Sequence, residues 1–145
     1  MREILFRGQT RRKGQKVWMD GTPVDSNWVE GYGVCMGKGD FSIIYSGDHV
    51  EKFPVYTDTV GQFTGLTDKN GVKIFEGDIF LIRGMEPSVN GLYTVKFSEA
   101  NHCWWLRNPN PLDHSFSFSD LNGFHEDGEV VGNIHDNPEL LEVTE

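Results

Sequence analysis

Cysteine is scarce in this chain: Cys35 and Cys103 are the only two among 145 residues, far apart and without a CxxC pair. Such spacing gives no disulfide framework and no paired thiolate ligands, so cytoplasmic free thiols are the expected state. Long apolar runs are missing as well. The longest is Ile79 to Ile82, far short of the roughly 20 residues of a spanning helix. No signal peptide opens the chain, and the reading is a soluble protein of the cytoplasm. Basic residues are outnumbered, 13 Lys and Arg against 22 Asp and Glu, for a formal net charge of -9. That balance argues against general affinity for nucleic acid or an anionic membrane and leaves room for a local basic patch.

What is present is aromatic and glycine-rich. Ten Phe, four Trp and four Tyr supply enough bulky apolar surface for one compact unit of this length. Seventeen Gly and six Pro, spread along the chain, point to many turns between short strands and away from a helical bundle. Charge is polarised along the sequence. Residues 1–16 hold six basic residues and one acidic residue, the remainder holds seven and twenty-one, and no Lys or Arg follows Arg107.

The expected fold is mostly β. Residues 1–58 read as an N-terminal hairpin and loop region, with Arg11-Arg12-Lys13-Gly14 as a turn before Val17-Trp18-Met19, and with strand candidates at 28–34 and 41–45. Residues 59–145 read as short antiparallel strands in the layout of an SH3-like barrel, the two regions forming one unit. Asp68-Lys69-Asn70-Gly71 is an Asx-type reversal whose glycine takes positive φ. Ile79-Phe80-Leu81-Ile82 is apolar on both faces, as in a strand buried on both sides. Tyr93, Val95 and Phe97 alternate with polar residues, which predicts one core face and one wet face. Further strands are read at 102–106, around Phe116 and Phe118, and at 130–134. Asn137-Pro138-Glu139 carries an N-cap residue, Pro at the first helical position and an acid in the first turn, and predicts one short C-terminal helix.

Phe6-Arg7, the stretch Thr59 to Leu66, Asp68 to Gly71, Ile74 to Ile79, and Gly132 to Leu141 together resemble the YopX family of bacteriophage and prophage proteins. The resemblance implies a phage or prophage origin, a mostly β fold and homo-oligomers. It brings no catalytic residue, because the family has no assigned activity.

The usual chemical constellations are absent or broken. His102-Cys103, His114, His125-Glu126-Asp127 and His135-Asp136 fit no zinc spacing. In the stretch Asp68 to Asp78, Lys73 occupies the sixth position that a calcium loop reserves for glycine. Gly33 to Gly39 is one residue short of a phosphate-binding loop and ends in Gly39, where Ser or Thr would bind magnesium. No nucleophile elbow exists, and Glu76 and Asp78 read as acceptors for backbone N–H groups in a turn. No cofactor or metal is expected, and the chain reads as a non-enzymatic accessory protein acting through a host or phage protein and through self-association. The candidate contacts are Trp104 and Trp105, of which both are buried only if their strand is covered on both faces. The alternative is a nucleic-acid-binding module in which Arg7, Arg11, Arg12, Lys13 and Lys16 meet phosphates and a barrel face stacks bases.

Overall fold

The computed structural model describes residues 3–16, 20–46, 51–84, 90–100, 102–108 and 125–142. Val17 to Met19, His114, Phe116 and Phe118, singled out above, lie outside them. Eleven strands are described: β1 (Phe6–Arg11), β2 (Asn27–Gly31), β3 (Gly33–Cys35), β4 (Phe41–Tyr45), β5 (Lys52–Tyr56), β6 (Gly61–Thr67), β7 (Lys73–Phe75), β8 (Asp78–Ile82), β9 (Gly91–Ser98), β10 (Cys103–Arg107) and β11 (Gly128–Asn133). Their assigned pairings are antiparallel, and the fold is mostly β with one half-barrel. The chain divides into two compact units, Met1–Phe63 and Thr64–Glu145, with the division inside β6.

In the first unit β1 pairs with β2 on one side and with the start of β6 on the other, Phe6 opposite Gln62 and Arg7 opposite Gly61. A second sheet has the order β3-β4-β5. The two sheets meet where Gly8 faces Val55, and a Cβ on Gly8 would lie 2.8 Å from a Val55 methyl. Only glycine leaves room for that approach. The expected strand at 28–34 is broken in two at Tyr32, and Gly31 packs so close to the Tyr45 carbonyl that a Cβ there would run into it. The chain turns there, and the Tyr32 N–H donates to that same carbonyl (3.1 Å). The turn at Arg12 to Gln15 forms with Gly14 at φ 76°, and β1 pairs with β2; the expected second arm of the hairpin, Val17 to Met19, lies outside the described residues.

In the second unit the sheet order is β10-β9-β8-β11. Ile74, Phe80, Ile82, Tyr93, Val95, Trp104 and Leu106 form its core, with Leu66 and Val130 packed against it. Ile79, Phe80 and Ile82 are fully buried, as the run apolar on both faces predicts. The alternation along β9 is met only in part. Tyr93 and Val95 are buried, but so is Thr94, whose hydroxyl donates to the Arg107 carbonyl (3.3 Å), whereas Phe97 at the rim is exposed.

The C-terminal helix is corrected to a single 3-10 turn, Pro138–Leu141, in which no residue is buried. Asn137 does not cap it. Its side-chain Oδ1 accepts the Asn133 N–H (3.2 Å), and the Asn137 N–H donates to the Asn133 carbonyl (2.9 Å), so the cap residue is used to close the preceding turn. Four residues without a buried face cannot propagate a helix, and Leu140 is 37% exposed. No helix among the described residues is long and apolar enough to cross a membrane.

Candidate interaction surfaces

The family-like stretches are architectural. Asp68 is buried, and its Oδ1 accepts the N–H groups of Asn70 (2.8 Å) and Val72 (2.9 Å), the Asx geometry expected, while Gly71 takes φ 80°. The other oxygen, Oδ2, accepts the Val130 N–H (2.9 Å), and the Lys69 N–H donates to the Gly128 carbonyl (3.1 Å). The β6–β7 turn is thereby fastened to the outer edge of β11. Asp78 is buried too, and its Oδ2 accepts the Phe75 N–H (2.8 Å), as read for a turn carboxylate. Gly77, at φ 89°, donates to the Val95 carbonyl (2.9 Å) and accepts the Ile134 N–H (2.9 Å). Asn133 Oδ1 receives the N–H groups of His135 (3.0 Å) and Asp136 (2.9 Å). Asp68, Asp78 and Asn133 thus each accept from backbone N–H groups that shape their own turns, and Asn133 Nδ2 also donates to Asp136 Oδ2 (3.2 Å). Among the described residues no three His, Cys, Asp or Glu side chains gather into a metal set.

The adjacent tryptophans separate as strand geometry requires. Trp104 points into the core, 8% exposed, edge-on to Phe97 with ring centroids 5.1 Å apart, and its buried indole N–H has no hydrogen-bond partner among the described residues. Trp105 lies on the opposite face, half-buried, directly across from Lys96 and two residues before exposed Arg107. The second unit has only five basic residues against fourteen acidic, so its charge equals that of the whole chain, while the first unit is balanced at eight and eight. Two of those five cations flank Trp105.

The basic segment is not uniformly available to a ligand. The Arg7 guanidinium lies over the Trp28 ring (4.6 Å), and that of Arg12 lies over Tyr56 (4.2 Å) while its Nη2 meets the Asp58 carboxylate (2.8 Å). Arg11, Lys13 and Lys16 are exposed.

A surface missed in the sequence stands beside that segment. In β4, Ser42 and Ile44 are buried, so Phe41, Ile43 and Tyr45 face the other way. Across the ladder stand Tyr56, Pro54 and Lys52, and Cys35 on β3 continues the row. Phe41 is 54% exposed and packs on Tyr56 with centroids 4.9 Å apart, and the Lys52 ammonium lies 5.9 Å from the Tyr45 ring. The Gln15 amide donates to the Tyr56 hydroxyl (3.0 Å), which together with Arg12 docks the basic turn against the aromatic end of this face. Period-2 alternation was the available signal, but both faces of 41–45 and 52–56 carry apolar residues. Only the pairing shows which set is outside.

A family model described as YopX protein matches residues 25–142. The chain belongs to the YopX family. This YopX-family chain is also similar to a solved structure, the crystal structure of protein EF1440 from Enterococcus faecalis, at 24% identity over 96% of this chain and 98% of that one, with a TM-score of 0.44. No curated protein matches it.

Proposed function

We propose that this YopX-family protein is a non-enzymatic accessory protein of a phage or prophage, acting in the cytoplasm of the bacterial host by binding protein, including further copies of itself. One observation carries the reading: Trp105, half-exposed on β10, stands between Lys96 and Arg107 in a unit that is otherwise strongly acidic. Tryptophan with flanking arginine is the composition of an interface anchor. Isolated cations on an acidic surface are complementary to acidic partners, and the acidic surface of another copy is one such partner. A contact of that kind joins two different patches and therefore builds rings or open assemblies. The SH3-like barrel expected over residues 59–145 is retained as part of this proposal, supported by the antiparallel half-barrel and by the fastening of the β6–β7 turn to β11.

Size-exclusion chromatography with light scattering, in low and high salt, tests it. An assembly larger than 16.5 kDa is expected, and Trp105→Ser should shift it toward the monomer. A mass of one chain under both conditions, with no protein from host lysate retained above an acidic control, would refute the proposal. Exposed ion pairs contribute only about 0–1 kcal/mol each, so an assembly that survives high salt rests on the indole.

A further inference from the structure

We infer that the outward face of β3-β4-β5 is a platform for single-stranded nucleic acid, with Phe41 and the Arg12–Tyr56 stack receiving bases and Arg11, Lys16 and Lys52 receiving phosphates. The inference concerns the first unit and does not depend on the Trp105 surface of the second. Its ground is the union of two features that the sequence leaves 25 residues or more apart: a row of outward aromatics and the basic turn docked at its end.

Single strands without strong sequence preference are held by aromatic rings that stack on bases beside cations that follow the backbone. Rings and two cations, Arg12 and Lys52, meet on this face, and exposed Arg11 and Lys16 adjoin in sequence the Arg12 and Gln15 that dock on Tyr56. Phe41 offers an open ring tilted by 33° against Tyr56, and the guanidinium of Arg12 lies over the Tyr56 ring as a flat cation on which a further base can lie. Four residues along β4, about 13 Å away, Tyr45 and Lys52 repeat the pairing of ring with cation. Ile43 and Pro54 form a flat apolar floor between the two ends. Arg11, Lys16 and Lys52 are exposed and enter no ion pair among the described residues.

The net charge of -9 does not oppose this reading, since all of it belongs to the second unit and the first is balanced. The opposing group is local. Asp58 neutralises Arg12 at 2.8 Å with more than half of its side chain exposed. Removing that carboxylate releases a cation at the stacking end, which is an effect peculiar to an anionic ligand. A duplex is a poor occupant, because its bases are already stacked and cannot lie on a flat sheet.

Fluorescence anisotropy of a labelled oligothymidylate of about 16 nucleotides, with the full chain, tests the inference. Binding is expected at 50 mM salt with preference over a duplex of equal length. With about three phosphates neutralised, affinity should fall about twentyfold between 50 and 200 mM salt. Phe41→Ala, at an exposed position, should weaken binding roughly tenfold, and Asp58→Asn should tighten it. Arg11→Gln with Lys16→Gln should flatten the salt dependence. Unchanged circular dichroism of each variant shows that the fold persists. Absence of binding at low salt, indifference to Phe41→Ala, or equal displacement by polyglutamate would overturn the inference, the last by showing a surface for acidic peptides instead. None of these results bears on the Trp105→Ser experiment.

Discussion

The carboxylate of Asp68 holds the backbone of Val130: its Oδ2 accepts the Val130 N–H at 2.9 Å, across 62 positions of sequence. The same side chain also organises its own turn through Asn70 and Val72. One buried group thus sets a local reversal and fastens it to a distant strand edge. Asp68→Ala leaves three backbone donors without their acceptor; Asn70 and Val72 are exposed, so water can serve their N–H groups, and the penalty of about 1–3 kcal/mol for an orphaned donor applies chiefly to Val130. A loss of about 1–3 kcal/mol in urea unfolding is expected, with Asp68→Asn retaining part of the stability. A change below about 0.5 kcal/mol would show that water serves these donors equally well.

Gly71 isolates the cost of backbone conformation. It takes φ 80°, yet nothing lies within 4 Å of where a Cβ would sit. Gly71→Val should destabilise by about 1–3 kcal/mol from strain alone, and Gly71→Asn should cost less because asparagine tolerates the left-handed region. Equal unfolding midpoints for the two variants would contradict this account.

Gly8 represents the opposite case, a glycine required by space. Its added Cβ meets Val55 at 2.8 Å. Gly8→Ala should cost about 1–3 kcal/mol by overpacking, and combining it with Val55→Ala should show a favourable coupling in a double-mutant cycle. Additive effects would mean that the two residues do not compete for the same volume.

Trp104 buries an indole N–H that meets no acceptor among the described residues. Trp104→Phe therefore removes no hydrogen bond and relieves a desolvated donor, which offsets the lost volume. The expected change is within about 1 kcal/mol, whereas Trp104→Ala should cost about 3–5 kcal/mol. Thermal unfolding of both variants decides the matter, and a large loss for the phenylalanine variant would reveal a partner for the N–H.

Far-ultraviolet circular dichroism should be dominated by β structure. Leu140→Ala is expected to change stability by less than about 0.5 kcal/mol, because the 3-10 turn that bears it buries no residue. A substantial helical signal, or a core-like cost at Leu140, would be incompatible with the structure.

Much of this architecture is local and for that reason legible in the residues alone. The turn at Asp68 to Gly71 needs only a carboxylate two residues before an N–H and a glycine at positive φ, and both are written in four adjacent positions. The burial of Ile79, Phe80 and Ile82 follows from a run with no polar face, although Leu81 stays half-buried, and the lack of paired thiols and of long apolar stretches bounds the chemistry. Other features are decided by what arrives from far away in sequence. Asn137 has every local mark of a helix cap, but the Asn133 N–H claims its oxygen, and the helix shrinks to one turn. Trp104 and Trp105 are chemically equivalent in sequence, and only the pairing of β10 with β9 assigns one to the core and the other to the surface. Phe41, Tyr45 and Tyr56 look like core residues in isolation. They face outward because Ile44 and Val55 take the inner side of the ladder, and because the basic turn, 41 positions from Tyr56 at Gln15, docks at their edge. Period-2 patterning tells which side chains share a face. Which of two apolar faces becomes the inside is settled by the tertiary packing that claims one of them first.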